Sequence, residues 1–163
     1  MTLEQLLHTI RAFDNVFDLA PVEGSDAPEI AWSDHFFYYA PDANIPKSVQ
    51  PYATIVTKDY PGDEHSRLNP IGRWRVSIQV GPAKFTALTG ETTGDFSARD
   101  FSVADVIMPH PVYGALGWIA VVNPGPRTEN TVIDLLHAAH DDARRRLIRR
   151  SSLTAEGESA ADR

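Results

Sequence analysis

The chain has 163 residues, of which 42% are hydrophobic and 23% charged, and this is the size and composition of one globular domain. It contains no cysteine, so disulfides, thiolate zinc sites and thiol nucleophiles are excluded, and the cytoplasm is the expected location. The sequence has neither a signal-peptide pattern nor an apolar run of the roughly 20 residues that a membrane span needs, so we expect a soluble protein without a membrane partner.

The net charge of −7 is unevenly distributed. Residues 1–126 hold 8 lysines and arginines against 15 acidic residues, whereas residues 127–163 hold 7 of each. The one dense basic cluster consists of Arg144, Arg145, Arg146, Arg149 and Arg150. A nucleic-acid-binding surface must be basic to neutralise phosphates, so the acidic body disfavours nucleic acid as a partner. Cations in the last turns of a helix explain the cluster equally well.

The first part of the chain predicts a helix followed by strands. A capping-box pattern and apolar residues at helical spacing predict a helix over 3–13, and 16–19 reads as a short strand. The aromatic-rich segments 30–32 and 35–39 predict a hairpin. Three prolines make Ala40–Pro51 an extended loop, because proline lacks a backbone donor and biases its predecessor away from the helix.

The middle of the chain contains the clearest strand pattern. Residues 53–57 are a β-branched run, and residues 73–80 alternate between apolar and polar side chains. Trp74, Val76, Ile78 and Val80 therefore share one predicted face, opposite Arg73, Arg75, Ser77 and Gln79. Residues 59–72 become a long connection between the two strands.

The last part of the chain predicts a short helix, a strand and a long helix. The short helix covers 81–88, the strand 117–122, and the last helix begins near Thr128 or Asn130 and ends near Arg150. Between them, 91–105 reads as a loop with one helical turn at 103–107. Residues 151–163 carry almost no large apolar side chain and predict a disordered tail.

This order of elements does not alternate strand and helix, so it predicts an α+β fold rather than a parallel sheet. We expect one domain over residues 1–150, with a mostly antiparallel sheet packed on one face by the N-terminal and C-terminal helices.

Three stretches of the chain resemble a known family. They are ATIVTKDYPGDEHSRL, MPHPVYGALGWIAVVNPGP and LLHAAHDDARRR, which begin at residues 53, 108 and 135. The chain resembles, over nearly its whole length, an uncharacterised bacterial family known as a domain of unknown function, and this resemblance implies no established activity. More distantly, the order of elements is similar to the YjbR-like (MmcQ-like) α+β fold, for which nucleic-acid binding has been suggested and which the acidic body fits poorly.

Two segments are candidates for a functional site. The connection between the two central strands carries Lys58, Asp59, His65 and Arg67, and such loops at a sheet edge often hold binding groups. In the second segment His110 lies between two prolines, which restrict its backbone, so it could act as a general base or a ligand contact. It could equally cap a turn.

These segments support a first hypothesis of a small-molecule pocket between the sheet and loops 58–67 and 110–118. Lys58, Arg67, Arg73 or Arg75 would contact an anionic group, while Tyr113 and Trp118 would stack on the remainder.

A second hypothesis places a cofactor-independent enzyme at the same position. His110 or His65 would serve as the base, and a carboxylate such as Asp59 would orient it. The sequence lacks GxSxG, Walker A, GxGxxG and HExxH motifs, which demotes serine hydrolases, P-loop NTPases, Rossmann dehydrogenases and zincins.

A third hypothesis is an interaction module that uses the arginine-rich last helix. No cofactor, metal set or oligomeric state follows from the sequence. His137 and His140 are spaced as a metal pair on one side of that helix, but they lack a third ligand.

Overall fold

The computed structural model describes residues 1–92, 96 and 98–161 and confirms the predicted α+β fold. Within these residues the strands form one sheet in the order β1-β2-β3-β4-β6-β5, in which every neighbouring pair is antiparallel. The strands are β1 (Val16–Leu19), β2 (His35–Tyr39), β3 (Ala53–Val56), β4 (Arg75–Gln79), β5 (Met108–Pro109) and β6 (Trp118–Val122). The helices are α1 (Leu3–Arg11), α2 (Pro82–Thr89) and α3 (Glu129–Ala161).

One face of the sheet is covered by the helices, and it holds the main core. The periodicity of α1 directs Leu6, Leu7 and Ile10 inward, where they share one apolar cluster with the sheet. The sheet contributes the predicted apolar face of β4 together with alternating residues of its neighbours. Leu136 and Ala139 bring α3 into the same cluster. The opposite side of the sheet, which we call the open face, is therefore left without a covering helix among the described residues.

The predicted start of α1 is confirmed in its details. The backbone N–H of Gln5 donates to the hydroxyl of Thr2 (3.1 Å), and the N–H of Thr2 donates to the Gln5 side chain (2.8 Å). This reciprocal arrangement satisfies two N–H groups that a helix start otherwise leaves unpaired.

Three predicted elements are corrected by the structure. Residues 30–32 do not form a strand: Glu29–Ala31 is a single 3-10 turn, so β2 pairs with β1 and β3 rather than with a preceding hairpin arm. The helical turn predicted at 103–107 is absent from these described residues, and Ala104 instead bridges to Val122. The last helix continues past Arg150 to Ala161, with 151–159 fully exposed.

The extension of α3 beyond Arg150 lies outside the packed core. It combines three alanines and two glutamates, which favour a helix, with three serines and a glycine, which do not. The division into a domain of 1–150 and a disordered tail remains a prediction. No helix in the described part of the chain is both long enough and apolar enough to cross a membrane.

The first turn of α3 is capped from a distance by Asp105. Its carboxylate accepts hydrogen bonds from the backbone N–H groups of Gly125 (2.8 Å), Arg127 (3.1 Å) and Thr128 (3.0 Å) and from the Thr128 hydroxyl (2.6 Å). Burial opposes ionisation, but these hydrogen bonds outweigh it and lower the pKa of Asp105. The chain therefore supplies its own anion at this helix N-terminus.

This cap predicts that Gly125→Ala lowers the free energy of unfolding by about 1–2 kcal/mol. A Cβ at Gly125 would lie 2.9 Å from a carboxylate oxygen of Asp105 and would push the carboxylate off its donors. Gly157→Ala, in the exposed part of α3 with no neighbour within 4 Å, is the control and should instead stabilise slightly. Urea unfolding measures both changes, and equal effects at the two glycines would contradict the cap.

Candidate functional site

The open face of the sheet has small side chains at its centre. The strand register places Thr54, Ser77 and Ala120 side by side on β3, β4 and β6, with Phe36 of β2 completing the row. Because three members of this row are small, the sheet surface is hollow where a larger residue would fill it. The bulkier Arg75 precedes Ser77 on the same face of β4.

A pocket of about 820 Å³ occupies this hollow, and we call it the central pocket. Its floor is the open face, and its walls come from the loops at 60–63 and 110–116 and from Gln50 and Pro51. The lining includes the aromatic side chains Phe36, Tyr38, Tyr60, Tyr113 and Trp118. Its polar members include Thr54, Asp63, Arg75, Ser77, Gln79 and His110. The volume lies within the roughly 300–1,000 Å³ of small-molecule sites.

Arg75 is buried at the floor of the central pocket and donates three hydrogen bonds to two side chains. Asp63 accepts two hydrogen bonds from its guanidinium (2.9 and 2.6 Å), and the Ser66 hydroxyl accepts a third (3.0 Å). Burial opposes ionisation of Asp63, but the bonds and charge of Arg75 hold the pKa of that carboxyl below its usual value. The bidentate pair leaves this charge neutralised within the protein.

His110 is also buried, and two backbone donors occupy its Nδ1. The backbone N–H groups of Val112 and Tyr113 both donate to Nδ1 at 3.0 Å, which assigns the proton of the neutral ring to Nε2. Nε2 lies 3.1 Å from a guanidinium nitrogen of Arg75 and 3.9 Å from the nearer oxygen of Asp63. The carboxylate contact that the enzyme hypothesis requires is therefore too long for a hydrogen bond.

The surroundings of His110 lower its pKa to about 3. Burial is the largest cause, and the positive charge of Arg75 adds to it, while Asp63 partly opposes both. A second proton would sit on Nδ1, where only N–H donors point. His110 is thus a turn cap and a weak base, which counts against a general-base role at neutral pH.

Two buried polar atoms at the floor of the central pocket have no hydrogen-bond partner among the described residues. They are Nε of Arg75 and the hydroxyl oxygen of Ser77, two residues apart on the open face of β4. Both residues are almost fully buried, at 3% and 1% exposure. Buried polar groups in native proteins are nearly always paired, so each unpaired group calls for an explanation.

The structure brings only some of the predicted site residues to the central pocket. Arg75, His110, Tyr113 and Trp118 line it. His65 and Arg67 are exposed and line a separate shallow depression beside Phe101.

The other predicted residues hold loops in place. Lys58 donates to the carbonyl of Trp32 (2.6 Å), and the Asp59 carboxylate accepts from the N–H of Leu68 (2.8 Å). Arg73 precedes β4, and its guanidinium donates to the carbonyls of Ser66, Arg67 and Ser102. Their assignment to a ligand stays a prediction.

Sequence reasoning did not identify Asp34, which anchors one wall of the pocket. This residue is fully buried, and its carboxylate accepts from the N–H (2.8 Å) and hydroxyl (2.8 Å) of Thr57 and from the Tyr60 hydroxyl (2.5 Å). Lys58 pairs with it at 3.0 Å. Burial and the hydrogen bond to Asp34 raise the pKa of Tyr60. In the sequence, Ser33-Asp34 before a strand is typical of a turn. Only the pairing of β2 with β3 shows that Thr57 lies beside Asp34.

The described residues contain no group of three or more metal-ligating side chains. The suggested histidine pair of α3 is divided between two packing roles. His137 packs on the ring of Phe13 at a centroid distance of 4.0 Å. His140 is buried between the hydroxyl of Tyr52 (3.0 Å) and the carbonyl of Asp14 (2.8 Å).

Fold and pocket together define a single-sheet α+β protein with an aromatic-walled cavity on the face opposite its helices. The chain belongs to the Family of unknown function (DUF6194), whose model matches residues 1–152. No curated protein matches the chain, and no solved structure matches it. The more distant resemblance to the YjbR-like fold stays a prediction.

Proposed function

We propose that the protein binds a small organic molecule, and that the part of it in the central pocket is an uncharged, planar, apolar body with at least one hydrogen-bond acceptor. The observation that carries the proposal is the pair of unpartnered polar atoms on Arg75 and Ser77. A buried polar group without a partner costs about 1–3 kcal/mol. Both atoms lie just beneath the pocket surface, so we infer that a small shift of the floor on binding lets a ligand oxygen accept from Nε–H or the Ser77 hydroxyl and recover this cost.

The charges around the central pocket favour an uncharged group at its floor over the anion that the sequence predicts there. Arg75 and Asp63 are the lining residues with formal charges, and they neutralise each other through two hydrogen bonds. The low pKa keeps His110 neutral at physiological pH. An anion at the pocket floor would lie beside the Asp63 carboxylate as well as Arg75, so it would gain little net attraction.

The walls favour a planar body. Phe36 and Tyr38 of β2, Trp118 of β6 and Tyr113 of the loop before β6 line the cavity. Aromatic side chains stack on flat rings or meet them edge to face. Tyr113 is 50% exposed at the mouth and packs against His110 with ring centroids 4.9 Å apart. A half-exposed aromatic ring at a pocket mouth gains burial when a ligand arrives. Binding without catalysis is favoured because His110 is a weak base.

We expect a ligand-observed NMR screen to find binders among planar bicyclic lactams and few among analogues that lack the carbonyl. Ser77→Ala should lower the affinity for the lactams by about tenfold, because it removes one hydrogen-bond donor to the lactam carbonyl. It should leave the free energy of unfolding unchanged or slightly higher, since the hydroxyl it removes is unpaired in the free protein. Backbone amide shifts of Val112 and Tyr113 should report the bound state.

Ser66→Ala is the matched control, because its hydroxyl is buried but already accepts a hydrogen bond from Arg75. This variant should lower the free energy of unfolding by about 1 kcal/mol. The proposal is wrong if no lactam binds the wild-type protein, or if the lactams bind Ser77→Ala as tightly as wild type.

A further inference from the structure

A second, smaller groove lies beside the central pocket, between the segment 45–50 and α3. Its volume is about 220 Å³, and we call it the arginine groove because Arg146 and Arg150 line one side of it. Leu147 and the ring of Tyr52 give it an apolar base. The groove lies at the end of β2 and β4, where Tyr39 and Gln79 are the last strand residues.

Arg146 and Arg150 are four residues apart, so they project from the same side of α3 one turn from each other. No carboxylate of the described residues lies within 4 Å of either guanidinium. Arg144 and Arg145 differ from them, because they do not line the groove and they pair with Asp141 and Asp142. Although the net charge of the chain is −7, Arg146 and Arg150 both line this groove, and neither has a carboxylate partner among the described residues.

Three side chains line both the arginine groove and the central pocket. They are Tyr38, Gln50 and Gln79. Register places Gln79 next to Trp118 on the open face, one row beyond Ser77. The two cavities therefore adjoin each other at these side chains.

From these shared side chains we propose that the arginine groove holds an acidic substituent of the molecule bound in the central pocket, an inference that rests on the proposed function. The ligand class becomes a planar, uncharged ring system that carries a carboxylate or phosphate at one end. The guanidinium group binds either anion through two parallel N–H···O bonds, and two guanidinium groups one helical turn apart can share one anion. Arg75 then recognises the neutral end and the α3 arginines recognise the charged end.

The test compares three probes that share one bicyclic lactam: one bears a carboxymethyl group, one the corresponding carboxamide and one a phosphonate. Isothermal titration at low ionic strength measures their dissociation constants. We expect the carboxylate or the phosphonate to bind the wild-type protein about tenfold more tightly than the carboxamide, and added salt should reduce this preference. The stronger of the two acidic probes identifies the type of anion.

The double variant Arg146→Gln/Arg150→Gln should lose the preference and bind all three probes with the affinity of the carboxamide. Arg149→Gln is the matched control, because it removes the same charge from the adjacent position of α3 but does not line the groove. It should retain the preference. All of these side chains are exposed, so circular dichroism should show unchanged folding.

The outcomes separate this inference from the proposed function. Equal binding of the acidic and neutral probes, with Ser77→Ala still weakening both, would overturn the acidic site and leave the central pocket intact. A preference that persists in the double arginine variant would also overturn it, since the anion would then bind elsewhere. If no probe binds the wild-type protein, both the function and the acidic site are wrong.

Discussion

Asp63→Ala is expected to lower the free energy of unfolding by roughly 3–5 kcal/mol, because it leaves the guanidinium of Arg75 buried without its counter-charge. Arg75 is 3% exposed, and two of its hydrogen bonds go to this one carboxylate. The remaining hydrogen-bond partner of the guanidinium, the Ser66 hydroxyl, carries no negative charge.

A double-mutant cycle with Arg75→Met measures this coupling by urea unfolding. The double variant should lose less free energy than the sum of the single variants, because it no longer contains an unpaired buried charge. The ion pair of Asp142 with Arg145 is exposed, so Asp142→Ala is the control and should change stability by less than about 1 kcal/mol. Additive effects at Asp63 and Arg75 would show that the pair is not the unit that stabilises the floor.

The alternation of β4 predicts both faces of the sheet correctly. Trp74, Val76 and Ile78 are buried in the helix-covered core, and Arg75 and Ser77 point to the other side. A period of two residues is a purely local property, so the sequence contains all the information that this prediction needs. The same pattern does not predict that the polar face is buried, because its burial depends on loops from other parts of the chain that pack against it.

Contacts between distant segments limit what the sequence predicts about the site. Arg75 meets His110 across 35 residues, and Asp34 meets Tyr60 across 26. The flanking prolines single out His110 in the sequence, and in the structure it lines the central pocket. The sequence does not reveal that two backbone N–H groups occupy Nδ1, because this depends on the geometry of the turn between β5 and β6. Ser77 draws no attention in the sequence, since a single serine on a strand is common.

The stability of the protein should fall as the pH drops below about 6.5, and His110 should account for much of the loss. Its pKa is about 3 in the folded protein, whereas an unfolded histidine has a pKa near 6.5. Below pH 6.5 this histidine is therefore protonated in the unfolded chain but not in the folded protein. The free energy of unfolding consequently falls with falling pH until about pH 3. Between pH 6.5 and 4 the loss from this one residue amounts to roughly 3 kcal/mol.

Other groups act in the same direction but can be separated from His110. Burial also lowers the pKa of His140, against the opposing effect of its bond to the carbonyl of Asp14, so His140 adds to the loss below pH 6.5. Because the pKa of Asp63 is lowered, its carboxylate stabilises the fold above pH 3.8. This stabilisation is lost only as the pH falls below that value. The interval from pH 6.5 to 4 therefore reports the buried histidines.

His110→Asn is the variant that isolates this contribution. The asparagine carbonyl can accept from the N–H groups of Val112 and Tyr113 as Nδ1 does, but it does not titrate. Urea unfolding between pH 7 and 4 should show a loss of stability about 3 kcal/mol smaller than in the wild-type protein. His65→Asn, at an exposed histidine, is the control and should retain the wild-type slope. If His110→Asn shows the same dependence of stability on pH as the wild-type protein, the imidazole of His110 can be protonated in the folded state. His110 would then again be a candidate general base.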